Sequence, residues 1–207
     1  MKFLILFCLF YFVKTFNIAI VGASSNLGKE IIYQGIRDKN LNILGFTSKS
    51  KITLPYRGDT FNNKIIMPEF KNSNLTLENY WKNIQDYKYT HLIFCTSAGP
   101  FQKDYSDILI EKFLDNIPKS CKSISLVSAF GVGDSLNEGN IGIEIMNNFY
   151  LKDVYRAKNK QEKLLKKLDL DIKKIIYRPR ALSYGYTNLN SMSRYKFAKI
   201  ILDDLEL

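Results

Sequence analysis

The sequence predicts an α/β fold, with a doubly wound, mainly parallel sheet between two layers of helices. Short apolar runs rich in β-branched residues alternate along the chain with longer segments whose apolar residues recur at helical spacing. The first of these runs, residues 17–21 (NIAIV), leads directly into a glycine-rich turn, and a helical pattern follows the turn. Strands that alternate with helices in this way form parallel sheets, because each crossover returns the chain to the same end of the sheet.

The predicted elements follow from these patterns. The strands, which share a short apolar stretch between polar residues, are predicted at 17–21, 42–47, 64–67, 91–96, 123–128 and 172–177. The helices, which share one apolar face, are predicted at 29–38, 72–89, 106–117, 147–168 and 193–205. Polar residues with Pro55 and Gly58 predict a loop at 48–62, and glycines predict another at 131–142.

The composition fits one globular domain. The chain has 207 residues, of which 46% are hydrophobic and 24% charged, so it can bury a core without disulfides or metals. Cys8, Cys95 and Cys121 form no C-x-x-C pair and no Cys/His cluster, and we therefore expect no metal site. The only histidine, His91, has no nucleophile elbow near it, so a Ser-His-Asp triad is not expected.

The chain is basic, with a formal net charge of +10 from 30 basic and 20 acidic residues. Such a charge can attract nucleic acid, a membrane surface or a phosphorylated ligand. The lysines are scattered, however, and many lie on predicted helix faces, as in residues 158–167. Because no nucleic-acid-binding motif accompanies the charge, we expect no nucleic-acid partner.

The first residues form a separate segment. Lys2 is followed by an apolar run at 3–13, which is too short for an ordinary transmembrane span. A charged start with an apolar middle is typical of a secretory signal, although no good small-residue cleavage site follows. We interpret 1–16 as a targeting leader and 17–207 as the domain; the alternative is a first strand or helix packed on the domain. The leader predicts the secretory route or an organelle reached through it, with membrane contact through the leader only. Without it the chain would be cytoplasmic.

The glycine-rich turn at 22–28 (GASSNLG) is the main functional signal. Gly22 permits a sharp turn after a strand, and Gly28 lets the following helix pack closely on the sheet. The helix N-terminus then directs its free N–H groups at a pyrophosphate. We therefore predict a dinucleotide-binding Rossmann fold rather than a merely structural turn. The predicted contacts from the turn are Gly22, Ser24, Ser25, Asn26, Leu27 and Gly28.

Three further motifs make the chain resemble a known superfamily. They are SLVSAFG at 125–131, the Lys158–Glu162 pattern with Arg178-Pro179 after the sixth strand, and Ser193-Arg194 with Ala198. With the glycine turn, their order resembles the short-chain dehydrogenase/reductase superfamily, and more closely its atypical NmrA-like, NAD(P)-binding branch. The resemblance covers residues 17 to about 202.

The chain departs from that family's pattern at the turn. The family has a middle glycine, where this chain has Ser25 or Asn26, depending on the pattern used. Asparagine tolerates a positive φ better than most residues, so we expect the turn to survive. A side chain at either position can crowd the pyrophosphate, which predicts weaker binding than in a member with the glycine.

The resemblance implies three catalytic candidates, Ser128, Tyr155 and Lys158. The standard family pair is Tyr-x-x-x-Lys, whereas Tyr155 and Lys158 are one residue closer. Residues three apart still share a helix face, so both can approach a nicotinamide ribose with Ser128 opposite. Two roles are open for Tyr155, proton donor or packing residue, and we favour packing. For Lys158 we favour contact with the cofactor over contact with solvent. Atypical members commonly lack the tyrosine.

The residues after the second strand indicate which dinucleotide is bound. An acidic residue there would hold a ribose 2′-hydroxyl and favour NAD, but the sequence is Thr47-Ser-Lys-Ser-Lys51. Hydroxyls and lysines suit a 2′-phosphate, which predicts NADP with NAD still possible. The further cofactor contacts that we predict, after the second and fourth strands, are Ser48, Lys49, Thr96, Ser97 and Ala98.

The resemblance therefore implies an atypical short-chain NADP-dependent oxidoreductase that acts on a small carbonyl or related substrate. The alternative is a dinucleotide-binding redox sensor or assembly factor without catalysis, which the shortened Tyr/Lys spacing and the missing middle glycine favour. A sugar-nucleotide epimerase or dehydratase is less favoured, because little chain follows the sixth strand to build a substrate domain.

Overall fold

The computed structural model describes residues 15–47, 65–66, 87–96, 104, 106–138, 151–183 and 191–205. Several predictions fall outside these residues. They are the leader up to residue 14, the loop at 48–62, most of the helix predicted at 72–89, and the site residues Ser48, Lys49, Ser97 and Ala98.

In the described part of the chain, six parallel strands form one sheet. They are β1 (Thr15–Val21), β2 (Ile43–Phe46), β3 (Ile65–Ile66), β4 (Lys88–Phe94), β5 (Ser123–Val127) and β6 (Lys173–Tyr177). Their order is β3-β2-β1-β4-β5-β6, with every neighbouring pair parallel. The chain thus builds outward from β1 to β3 and then crosses to β4. Such a reversal opens a crevice at the carboxyl ends of β1 and β4, where ligands bind in sheets of this kind.

Within the residues that the structure describes, four helices cover the two faces of this sheet. They are α1 (Asn26–Lys39), α2 (Ser106–Leu114), α3 (Lys152–Lys167) and α4 (Arg194–Asp203). Helices α1 and α4 pack against each other in one layer, and α2 packs against α3 in the other. The prediction of a doubly wound, three-layer α/β fold is therefore confirmed. No helix in the described residues is long and apolar enough to cross a membrane.

One core fills the layer between the sheet and the α2–α3 pair. Phe113 of α2 packs in it edge to face against Phe46 of β2 and Phe94 of β4, at centroid distances of 4.8 and 5.7 Å. All three rings are almost completely buried. Burying an aromatic side chain of this size contributes about 1.5–3 kcal/mol, so this cluster fixes α2 over the central strands.

A second core joins α1 and α4 to the opposite face. Ile31 and Ile32 of α1 and Ile201 of α4 are fully buried against Ile18 and Ile20 of β1. Because β1 is buried on both faces, it reads in sequence as a continuous apolar run. This is why its position could be predicted without alternation between apolar and polar residues.

Several boundaries differ from the predictions. Strand β1 begins at Thr15, so Thr15 and Phe16, which we had placed in the leader, pair with Lys88 and Tyr89 of β4. The same pairing corrects the helix predicted at 72–89, whose last two residues belong to β4. Tyr89 is fully buried in the sheet. Tyr89 joins a strand because it pairs with β1, although the spacing of apolar residues in the sequence predicted a helix up to this position. Sequence periodicity cannot predict such a tertiary effect.

Three short elements of the described chain were not predicted. Strands β7 (Leu182–Ser183) and β8 (Met192–Ser193) pair with each other just before α4. A 3₁₀ helix, Gly133–Glu138, lies inside the glycine-rich segment that we had predicted as a loop at 131–142. Each element is too short to show a period of its own in the sequence.

Candidate functional site

The glycine turn lies at the carboxyl end of β1, in the crevice between β1 and β4. Gly22 has a φ of +91°, and the backbone N–H groups of Gly22 and Ala23 both donate to the Phe46 carbonyl at the end of β2. A Cβ on Gly22 would lie 2.9 Å from Thr96 Cγ2 and 3.0 Å from the Cys95 carbonyl oxygen. Both the backbone conformation and the close approach of β4 therefore require glycine.

Gly28 is required for a different reason. A Cβ there would lie 2.3 Å from the Gly22 carbonyl oxygen, so any other residue would separate α1 from the turn. Ser25 caps α1 with a φ of −67°, and its Oγ accepts the Gly28 N–H at 2.9 Å. Asn26 is the first residue of α1. Asn40 is the only non-glycine residue with a positive φ in the described chain. The turn therefore forms without a positive φ at Ser25 or Asn26.

The N-terminus of α1 presents an uncompensated positive end. Its first turn contains no acidic residue, and the exposed Asn26 stands where the helix begins. The first N–H groups of a helix have no acceptor within the helix, and the helix dipole places partial positive charge on them. Ser25 uses the N–H of Gly28 as a cap. The N–H groups of Asn26 and Leu27 belong to the same first turn and can serve an anion, as the sequence predicted.

The end of β2 borders the turn through two hydroxyls. Thr47 Oγ1 donates to Ser24 Oγ at 2.6 Å, and Thr47 is buried. This contact ties the first residue after β2 to the glycine turn. The residues predicted to select NADP follow Thr47 directly and lie outside the described chain.

Lys158 lies at the same edge of the sheet, between the ends of β4 and β5. Its side chain is 3% exposed, and its Nζ donates to the Thr96 carbonyl at 2.5 Å and the Val127 carbonyl at 2.8 Å. A third bond, at 3.3 Å, goes to Gln161 Oε1. Burial lowers the pKa of Lys158 to about 8. All three ammonium hydrogens have protein acceptors, so a cofactor hydroxyl would have to replace one of them. Cofactor contact by Lys158 stays a prediction.

Tyr155 is bound to a different partner. Its hydroxyl donates to the Phe130 carbonyl at 2.9 Å, in the loop after β5. Burial raises the pKa of this half-buried tyrosine. A proton donor activated by a neighbouring ammonium would show the opposite shift. The contact fits the packing role that we favoured.

Ser128 follows β5 directly and is buried. Its backbone N–H donates to the Tyr177 carbonyl at 2.8 Å, which fixes its position beside the end of β6. Its Oγ has no hydrogen-bond partner among the described residues. A buried hydroxyl without a partner costs about 1–3 kcal/mol, and a ligand can supply the missing bond. Lys158 binds the carbonyl of the preceding residue, Val127, so the two candidates lie at adjacent positions of the sheet edge.

An ion-pair network that we did not predict holds the loop after β5. Glu162 is 2% exposed, and its two oxygens accept from Arg178 Nε at 3.0 Å and Arg178 Nη2 at 2.7 Å. Asp134 accepts from the same Arg178 Nη2 at 3.1 Å. Gly133, with a φ of +57°, approaches Glu162 so closely that a Cβ would lie 2.1 Å from Oε2. Glu162 and Arg178 helped to carry the family resemblance, and their role here is to position the loop.

The histidine and the cysteines considered in the sequence analysis lie away from this edge of the sheet or are buried. His91 lies in the middle of β4, about 13 Å of strand before Cys95. Its Nδ1 contacts Thr90 Oγ1 at 2.7 Å, and burial lowers its pKa. Cys95 and Cys121 are buried, and burial raises the pKa of each thiol to about 11. In the part of the chain that is described, no three His, Cys, Asp or Glu residues form a group that could hold a metal ion.

Comparison with known proteins identifies the fold. No family model and no curated protein matches the sequence. The chain is similar to the oxidoreductase ylbE from Lactococcus lactis, with a TM-score of 0.66, 19% identity, and coverage of 92% of this chain and 84% of that one. It is also similar to a short-chain dehydrogenase/reductase from Veillonella parvula in complex with NADP, with a TM-score of 0.65, 14% identity, and coverage of 92% and 88%. The chain has a Rossmann-like α/β fold.

A third similar structure is ChuY, an anaerobilin reductase from Escherichia coli, with a TM-score of 0.62, 12% identity, and coverage of 92% and 89%. These Rossmann-like neighbours are reductases and related oxidoreductases. The similarity extends over nearly the whole of each neighbour, so this chain contains the same Rossmann-like core. At this level of identity the comparison establishes the fold and leaves activity to be argued from the site.

Proposed function

We propose that the chain binds a nicotinamide dinucleotide at the glycine turn and is an atypical short-chain NADP-dependent oxidoreductase. The observation that carries the proposal is the turn itself. Gly22 and Gly28 are both sterically required, and they set a helix N-terminus without acidic residues at the crevice between β1 and β4. That arrangement suits a pyrophosphate.

The other candidates at this edge fit the same ligand. Lys158 supplies a buried positive charge between β4 and β5, and Ser128 supplies a hydroxyl without a partner in the described chain. When bound, the dinucleotide would give or take the hydride. The chain's own residues would bind its phosphates at α1 and orient it against the strand ends. The Ser128 hydroxyl would donate a hydrogen bond to the oxygen of a small carbonyl substrate.

The preference for NADP rests on the residues that follow β2. Thr47 ends the described part of this region and is a hydroxyl residue rather than an acid. Ser48 and Lys49 come next in the sequence and suit a 2′-phosphate. NADPH and NADH should therefore be compared in every binding titration.

A second function is favoured by one contact. The Tyr155 hydroxyl is already bound to the Phe130 carbonyl, and burial raises its pKa, so the standard family acid is not poised to act. This supports the alternative of a redox sensor or assembly factor that binds the dinucleotide without turnover. An assay over carbonyl and quinone substrates with NADPH separates the two functions.

The binding site is tested by titrating NADPH into the full chain and two variants. Gly22→Val should abolish binding, because its side chain would collide with Thr96 and the Cys95 carbonyl. Asn26→Asp keeps the fold, since an acid is favourable at a helix N-terminus, but its charge repels the pyrophosphate. We expect it to weaken NADPH binding about tenfold, or about 1.4 kcal/mol.

The control for Asn26→Asp is Asn42→Asp. Asn42 is exposed and lies just before β2, at the amino ends of the strands and away from the glycine turn. The same charge change there should leave the affinity for NADPH unchanged. Equal affinity for NADPH in the wild type and Asn26→Asp would show that α1 does not hold the phosphates.

We also propose that the segment before Thr15 acts as a targeting leader.

A further inference from the structure

A buried amide connects Lys158 to the start of α2. Gln161 follows Lys158 by three positions on α3 and is 1% exposed. Its Oε1 accepts from Lys158 Nζ at 3.3 Å, and its Nε2 donates to Ser106 Oγ at 2.5 Å. Residues three apart on a helix share a face, so α3 itself brings the lysine and the amide together.

The neighbours of Gln161 determine which way its amide points. An ammonium has donors only, so Gln161 must present its oxygen to Lys158 while the lysine is charged. The amide nitrogen then faces Ser106, the first residue of α2. Ser106 is held in turn, because its backbone N–H donates to Asp104 Oδ1 at 2.8 Å. While Lys158 is charged, the amide is therefore held by a hydrogen bond at each end.

We propose that Gln161 is a positioning residue for Lys158, which holds the ammonium between the ends of β4 and β5 and sets the pH range over which it is charged. For its effect on ligand binding the inference rests on the proposed dinucleotide site, whereas its effect on Lys158 does not. Nothing in the glycine turn or the Tyr/Lys spacing indicates this role. It follows from the contacts of a single buried side chain.

An amide suits both protonation states of the lysine. A neutral amine has two hydrogens and one lone pair, and the Thr96 and Val127 carbonyls remain acceptors in either state. The third neighbour must therefore become a donor when Lys158 loses its proton. Gln161 can turn its amide over, so that Nε2 donates to the amine and Oε1 accepts the Ser106 hydroxyl. A carboxylate would favour the charged lysine only, and a thioether would favour neither state.

Other charged or titratable groups face Lys158 from three directions. Asp104 lies before α2, Cys95 follows β4, and Glu162 lies on α3, and each raises the pKa of Lys158 against the larger, opposite effect of burial. Glu162 is paired with Arg178, and the Cys95 thiol is neutral near pH 7 because burial raises its pKa. Among the described residues, the direct acceptors of the Lys158 ammonium are the two carbonyls and Gln161. Of these, Gln161 alone is a side chain, and substitution can change it.

The inference is tested by titrating Lys158 in the full chain, without dinucleotide, from the ¹³C NMR signals of the lysine side chains. The Lys158 signal is assigned by its loss in Lys158→Met and in Lys158→Arg. Gln161→Glu should raise the titration midpoint by about one pH unit or more, because it adds a negative charge in direct contact. Gln161→Met should lower the midpoint, because the ammonium loses an acceptor.

Asn159→Asp is the matched control. It makes the same amide-to-acid change two positions earlier on α3, where the side chain accepts from the Gly133 N–H instead of from Lys158. We expect a clearly smaller shift of the Lys158 midpoint. If Gln161→Met does not fold, the comparison of Gln161→Glu with Asn159→Asp decides alone. Equal midpoints in the wild type and Gln161→Glu would overturn the inference.

A second measurement separates this inference from the proposed function. The Kd for NADPH should increase as pH rises through the Lys158 midpoint, and the increase should move with the midpoint in Gln161→Glu and Gln161→Met. Midpoints that shift while NADPH fails to bind would support the positioning role and overturn the dinucleotide site. NADPH binding with an unshifted midpoint in Gln161→Glu would do the reverse.

Discussion

Tyr155 and Lys158 lie three positions apart on α3 but bind different parts of the molecule. The tyrosine hydroxyl donates to the loop after β5, whereas the lysine ammonium lies between two strand ends at the crevice. Lys158 therefore occupies the position from which a charge can act on a ligand. Tyr155 has its hydroxyl committed to the Phe130 carbonyl.

This difference predicts separate effects of the two substitutions. Lys158→Met should weaken NADPH binding by roughly 1.5–3 kcal/mol, the usual contribution of a hydrogen bond with one charged partner. Tyr155→Phe should leave any measured turnover within a few-fold of the wild type, because its hydroxyl makes a packing contact. Both are measured by NADPH titration and steady-state assay of folded variants. A collapse of turnover in Tyr155→Phe with intact NADPH binding would instead identify Tyr155 as the acid.

The site residues differ in how far sequence could predict them. Gly22 and Gly28 were predictable, because only glycine fits a turn between a buried strand and a helix that starts directly after it. The acceptors of Lys158 were not, because Thr96 lies 62 positions from it and is brought near by the pairing of β4 with β5. Gln161 is a polar residue in a lysine-rich helix, and periodicity gave no reason to expect it to be buried.

At the level of elements, α3 does more than cover the sheet. Through Glu162 it holds Arg178 at the end of β6, and Arg178 reaches Asp134 in the 3₁₀ helix after β5. The loop beside Ser128 is therefore fixed from a helix and a strand at once. Such a buried carboxylate requires its partner, because an unpaired charge in the interior is strongly destabilising.

Glu162→Gln should accordingly lower the free energy of unfolding by about 2–3 kcal/mol, since it removes the charge from both hydrogen bonds to Arg178. Urea unfolding followed by circular dichroism measures the loss. The control is Lys166→Met, which removes the exposed ion pair between Lys166 and Asp134. That change should cost no more than about 1 kcal/mol. Similar losses in the two variants would show that burial gives the Glu162 pair no special weight.

The elements themselves were predicted unequally. Strand β1 and helix α1 were placed within a few residues, because a continuous apolar run and a helical period flank an unmistakable turn. The start of β4 was missed, because Lys88 and Tyr89 join the strand only through their pairing with Thr15 and Phe16. Such strand boundaries depend on pairing between segments that are distant in sequence, and local sequence periodicity cannot predict that pairing.

For the whole molecule, the start of β1 at Thr15 sets where the proposed leader ends and the domain begins. β1 starts at Thr15 at the amino edge of the sheet, and the glycine turn lies at the other end of the same strand. We expect a reporter fused to residues 1–14 to leave the cytosol, because Lys2 and the apolar run at 3–13 have the features of a secretory signal. Cell fractionation measures this, with a Phe7→Asp fusion as the control. A wild-type fusion that stays cytosolic and soluble would mean that the segment is part of the domain.

The strand order also governs how the chain can fold. β1 pairs with β2 after a short helical connection, but its other neighbour, β4, brings Ile18 opposite His91, far along the chain. The entropic cost of bringing β4 beside β1 must be met before their pairing contributes any stability. This makes parallel sheets slow to form. During synthesis, the β1–α1–β2 unit can therefore assemble early, with the side of β1 that later pairs with β4 still unpaired. Until β4 emerges from the ribosome, the strand that carries the glycine turn has an unpaired edge, and such an edge is a template for aggregation.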